Sequence, residues 1–155
     1  MTEIAFVGGS REDQARVSAQ HQAYLDANAV VDWEKLPALF SGSADATYFN
    51  LNGHTYDGRE HWTKLWKYYK ERLAVGVWVP FDLKGTISGD LAVVWCHRKT
   101  TLAWVGSEPV PEDHRNQPKE FVSRSTMVFR REGGDWRVVH VHFSPGSDAP
   151  RPGDI

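Results

Sequence analysis

The chain carries a single cysteine, Cys96, in 155 residues. A lone thiol excludes an internal disulfide and any multi-cysteine zinc site, and it fits a reducing, cytoplasmic setting. An excess of either charge is also missing. The formal net charge is −2, with Lys and Arg interspersed among Asp and Glu, so no basic face for nucleic acid or an anionic membrane is evident. Long hydrophobic runs are absent as well: the opening MTEIAFVGGSRED is too short in apolar residues for a signal peptide, and no later stretch reaches membrane-spanning length. The expectation is a soluble cytoplasmic protein whose partner is a small molecule, with neither nucleic acid nor membrane as a partner.

Aromatic surface is what the chain has in abundance. Seven Trp, five Tyr and seven Phe in a length suited to one domain must either pack the core or line a cavity for a flat, apolar ligand.

Patterning divides the chain into helices first and strands afterwards. Ser10 can cap a helix from about Arg11, which places Val17, His21, Tyr24, Leu25 and Asn28 on one face. A second, short helix after Asp32 carries Leu36, Leu39 and Phe40 and is made irregular by Pro37. Residues 46–51 read as a strand. A third helix over about 59–72 sets Trp62 and Trp66 four apart on one face. Beyond Gly76 the period becomes two, with strands near 77–87, 91–104, 121–131 and 136–144 and tight turns at Ser88-Gly89-Asp90 and Gly133-Gly134-Asp135. Residues 105–119 read as a long mobile loop, and 145–155 as a flexible tail after a single domain spanning 1–144. The order is α+β: three N-terminal helices packed in a strongly curved antiparallel sheet, giving a cone with one open end.

Three local patterns follow one another at suggestive spacing: Asp32-Trp33 leading into Leu36 and Leu39-Phe40, then Asp45-Ala46-Thr47, then Tyr56-Asp57-Gly58-Arg59-Glu60. Their order resembles the SnoaL-like, ketosteroid-isomerase-like branch of the nuclear-transport-factor-2 (NTF2) superfamily. A fourth, RREGGDWRVVHVHFS over residues 130–144, is similar to the final hairpin of the calmodulin-kinase association domain in the same superfamily. The resemblance implies an NTF2-like cone over most of the chain. It also implies one of the functions that fold hosts, among them isomerases, cyclases, dehydratases, hydrolases, lyases and non-catalytic assembly domains. By the same resemblance Tyr24 holds the position of the hydroxyl that donates to a developing oxyanion, and Trp66 that of a pocket aromatic on the third helix. The general-base position falls on Asn50, whose amide cannot accept the proton, and the second carboxylate of the oxyanion hole falls on Thr126. His97 aligns with a pocket arginine of the association domain.

With Asn50 unable to act as base, His97 becomes the natural proton carrier, since imidazole titrates near neutrality; the bland reading is a histidine hydrogen-bonded within the core. Strand alternation groups Val93, Trp95, His97 and Lys99, and on the next strand Val122, Arg124, Thr126 and Val128. These faces are expected to look inward, so Arg124 meets either a substrate anion or an acidic side chain such as Asp82. Tyr48, Trp66, Trp95, Thr126 and Phe143 are the expected substrate-binding residues around catalytic His97, Tyr24, Asn50 and Arg124. His140 and His142 form a His-x-His strand pattern, which is also a metal pattern, yet no carboxylate stands at a matching spacing. The registration turns them outward, toward an expected homodimer or larger oligomer interface, and no metal is expected. His21, His61 and His114 read as solvated. The expected function is a cofactor-independent enzyme doing acid/base chemistry on an aromatic or polycyclic substrate. Elimination, retro-aldol C–C cleavage (deformylation of a lignin-derived diarylpropane is one instance) and isomerisation are the candidate reactions. The competing class is a non-catalytic association or ligand-binding domain.

Overall fold

The protein is described here by a computed structural model covering residues 3–115 and 118–154. A short strand β1 (Ala5–Val7) precedes the helix α1 (Arg11–Ala29). Ser10 caps that helix as its sequence predicts, its Oγ accepting from the Asp13 amide at 3.1 Å. A 3-10 turn (Trp33–Lys35) runs into the one-turn helix α2 (Leu36–Leu39), with Pro37 in its first turn where the missing N–H costs nothing. Then come β2 (Thr47–Phe49), β3 (Thr55–Asp57), α3 (Gly58–Lys70) and β4 (Leu73–Val75). The long strands β5 (Val79–Ser88), β6 (Leu91–Trp104), β7 (Glu120–Glu132) and β8 (Asp135–Pro145) complete the chain, with a one-turn helix α4 (Glu112–Arg115) between β6 and β7.

The sheet order is β1-β5-β6-β7-β8-β2-β3, with β4 pairing separately to β6. Both expected hairpins are tight. Glu132 pairs with Asp135 across Gly133 and Gly134, whose φ values of 60° and 86° are what a two-residue turn matching strand twist demands. The sheet is mixed rather than purely antiparallel: β1 runs parallel to β5 and β2 parallel to β8. Helices intervene before each of these pairings, and such crossovers are what permit parallel neighbours.

Helix α1 and the segment after α2 are tied to the β7–β8 hairpin. Arg131 reaches both carboxylate oxygens of Asp13 on α1 at 2.7 Å and lies over the Trp136 ring, and Arg130 bridges Asp45 and Glu132. Between sheet and helices lies a core rich in rings, among them Tyr24, Phe40, Tyr48, Trp62, Trp66, Trp136 and Phe143. Among the described residues no helix is long and apolar enough to cross a membrane.

Candidate functional site

At the open end of the sheet, α1, α3 and the inner face of β6 and β8 enclose a cavity of about 70 Å³. Its walls are largely aromatic: Trp62 and Trp66 from α3, Trp78 from the approach to β5, and Phe143 from β8. Polar groups face it from several elements, among them Tyr24 and Asn28 from α1, Asn50 from the end of β2, Arg98 from β6 and His114 from α4.

Arg98 dominates this site. Its side chain is 1% exposed, its guanidinium lies 4.2 Å from the Phe143 ring centroid and 4.5 Å from that of Trp78, and one terminal nitrogen donates to the Tyr24 hydroxyl at 3.4 Å. Among the described residues no carboxylate pairs with it, and its Nε has no partner. A buried guanidinium sandwiched between rings and lacking an anion is costly to hold, and an incoming anion is what would compensate it. Burial raises the Tyr24 pKa, with Arg98 opposing the shift, so the phenol keeps its proton. Because the Tyr24 oxygen accepts from Arg98, its own hydrogen is directed toward another acceptor. Behind Tyr24 on α1, His21 is buried, and burial with the nearby Arg98 charge lowers its pKa to about 4; it is neutral at pH 7.

At the mouth, the Tyr69 hydroxyl and His114 Nε2 are 3.1 Å apart, and Asn52 Nδ2 donates to the hydroxyls of Tyr56 and Tyr69 at 3.0 Å each. The segment carrying His114 is anchored by Trp104 Nε1 donating to the Glu108 carbonyl at 3.2 Å and by the Arg72–Glu108 pair at 2.7 Å. Residues 105–115 thus carry the short helix α4 and these contacts within the segment read from sequence as a long mobile loop; 116 and 117 lie outside the described residues. Val31 also lines the cavity, with φ at 51°, a conformation a β-branched residue adopts only when its surroundings impose it.

Of the nine residues the sequence singled out, Tyr24, Asn50, Trp66 and Phe143 line this cavity. Tyr48 is buried on the expected face, yet it packs into the core against Phe40 and Trp62 at centroid distances of 5.3 and 5.1 Å and does not line the cavity. Four residues face the other way. Trp95, His97, Arg124 and Thr126 sit on the outer sheet face, where His97 stacks on Phe81 and approaches Asp82 at 3.4 Å, and Arg124 donates to Ser144. The inward face of β6 is instead Ala92, Val94, Cys96, Arg98 and Thr100, paired with Ser123, Ser125, Met127 and Phe129 of β7. The expected phase was inverted because both faces of β6 carry apolar residues, and the large Trp95 outweighed small ones that leave room for the rings opposite. A usable signal did exist. Lys99 shares a face with His97, and Glu120, Arg130 and Glu132 share one with Arg124, so those faces belong in water. His140 and His142 do point outward, flanking the Phe49 ring at 4.7 and 5.4 Å. No cluster of metal-ligating side chains occurs among the described residues. His21 and His114, read as solvated, are respectively buried and cavity-lining.

A profile of the SnoaL-like domain matches residues 17–148. Solved structures with the same fold include an NTF2-like protein of unknown function from Pseudomonas putida, at 21% identity over 91% of this chain and 92% of that one with a TM-score of 0.68. A cystatin-like-fold protein from Caulobacter vibrioides is similar at 20% identity, 88% and 92% coverage and a TM-score of 0.73. A proposed dehydratase of the NTF2-like family from Streptomyces avermitilis is similar at 20% identity, 89% and 99% coverage and a TM-score of 0.72. No curated protein sequence matches significantly. With the cone, the helix order and a match across most of its length, the chain belongs to the SnoaL-like domain family, and its fold is that of the NTF2-like structures.

Proposed function

We propose that this chain is a cofactor-independent enzyme that carries a flat, aromatic small molecule through an oxyanion, by elimination, C–C cleavage or isomerisation. The observation that carries this reading is Arg98, buried, unpaired by any described carboxylate and 3.4 Å from the Tyr24 hydroxyl at the wall of a ring-lined cavity. An oxygen lying between them receives an O–H and a guanidinium N–H, and in a water-poor site such donors stabilise charge that develops during reaction far more than in bulk water. In this reading the anion-stabilising role expected of Arg124 belongs to Arg98. The proton-moving role expected of His97 belongs to His114, which faces the cavity and shares a hydrogen bond with Tyr69. Asn50 orients a second substrate oxygen. Elimination agrees with the dehydratase proposed for the Streptomyces avermitilis relative.

The test is proton NMR in heavy water with a panel of planar aryl ketones and β-hydroxy aryl ketones, following α-hydrogen exchange and loss of water. Wild-type protein should accelerate one of these, and Tyr24→Phe and His114→Asn should each lower that rate by about a hundredfold. Absence of turnover across the panel, or full activity in Tyr24→Phe, would sink the enzymatic reading.

A further inference from the structure

The cavity is smaller than the ring it is suited to. Its 70 Å³ falls below the roughly 150 Å³ of an engineered apolar cavity that admits benzene, so an aromatic ring enters only if a wall residue moves. One described residue lines both this cavity and a much larger groove outside it: Leu51. The groove, about 580 Å³, runs past Lys99 of β6 and the start of β7 beside the chain that leaves β8. The turn presenting Leu51 is fixed. Asn50 N–H donates to the His54 carbonyl and Gly53 N–H to that of Asn50, both at 3.0 Å, and the Asn52 amide is tied to the Tyr56 and Tyr69 hydroxyls. With the backbone held, rotation of the half-buried Leu51 side chain is the available motion, and it is fast.

We infer that Leu51 is the gate between two compartments of one ligand site, and that the site takes an elongated planar aryl compound. The oxygen that becomes anionic rests at Arg98 and Tyr24, where a carboxylate probe mimics it, and an arm bearing hydrogen-bond donors lies in the groove. The inference rests on the reading of the cavity as a substrate site. The groove supplies the preference for donors: Lys99 pairs with Glu120 at 2.9 Å, and among the described residues Glu112 and Asp148 are the other charged groups on its lining. An arm carrying an amine or hydroxyls suits those carboxylates; an anionic arm does not.

Titration of tryptophan fluorescence tests this, because Trp62, Trp66 and Trp78 line the cavity. The probes are acetate, which fits without displacing Leu51, benzoate, which displaces it, and para-aminoethylbenzoate and para-propylbenzoate, whose arms hold it aside. In Leu51→Ala the three aromatic probes should bind about tenfold tighter and acetate should change by less than about twofold; Leu51→Trp should weaken the aromatic probes by about tenfold. The amine-bearing probe should bind more tightly than the propyl one. If benzoate binding is lost in Arg98→Met yet neither Leu51 variant separates acetate from the aromatic probes, the gate is overturned and the cavity reading stands. Equal affinities for the amine and propyl arms overturn the assignment of the groove. If no probe binds in any variant in an Arg98-dependent way, the cavity reading itself is overturned.

Discussion

Arg98 is the residue on which function and stability pull in opposite directions. A buried cation without a partner is a liability in the empty protein, so Arg98→Met, which keeps length and removes charge, should raise stability by about 1–4 kcal/mol. Thermal unfolding measures this, and a destabilised variant would mean that the guanidinium is compensated within the fold. His21 supplies a pH signature. Its pKa is lowered from 6.5 to about 4, by burial first and by Arg98 second, so below pH 6.5 the unfolded chain binds a proton that the folded chain refuses. Stability should therefore fall as pH drops from about 6.5 to about 4, by about 3 kcal/mol. Urea unfolding of His21→Gln should lack that component; an unchanged profile would assign it to other groups. A separate acid loss belongs to Asp45, which hydrogen bonds from Arg130 and then Ser43 hold down to about 2. Its contribution persists above its unfolded value and disappears only as pH falls from about 4 toward 2. At this scale the sequence was legible on helices and opaque on strands. The helical period, with its one apolar face, places Tyr24, Trp62 and Trp66, whereas both faces of β6 carry apolar residues and alternation alone does not separate Arg98 from His97.

Among the elements, β1 was invisible in advance because a three-residue parallel edge strand has no alternation to read. Its seat is Gly85 of β5, where an added Cβ would lie 2.6 Å from the Phe6 ring. Gly85→Val should lift β1 and cost about 1–3 kcal/mol in urea unfolding, leaving the cavity intact; unaltered stability would show that β1 contributes little. The hairpins, by contrast, were readable to within a residue or two. Ser88-Gly89-Asp90 and Gly133-Gly134-Asp135 carry glycines where positive φ is required, and turn chemistry of that kind is local. The placement of residues 105–115 was not readable, because it rests on distant partners such as Arg72 and Tyr69.

For the whole molecule, the α+β order and family resemblance pointed to the right fold, since helix-first, meander-last patterning over a single core admits few arrangements. Which way each strand faces is a global property, set by pairing across β6, β7 and β8, and the sequence left it ambiguous. The inverted phase has a consequence outside the cone: Phe49, Phe81, Leu91 and Trp95 are each 38–49% exposed on the outer side. We expect that face to be covered by a second copy of the chain, as the sequence suggested, so light scattering should give a dimer or larger species and Trp95→Glu should reduce it toward a monomer. A wild-type monomer would contradict this. The central claim, that the cone holds an anion at Arg98 and Tyr24, is tested most directly by calorimetric titration of benzoate into wild-type protein and into folded Arg98→Met. Benzoate should bind the first and lose at least about tenfold in affinity for the second; equal affinity for both would show that Arg98 holds no anion.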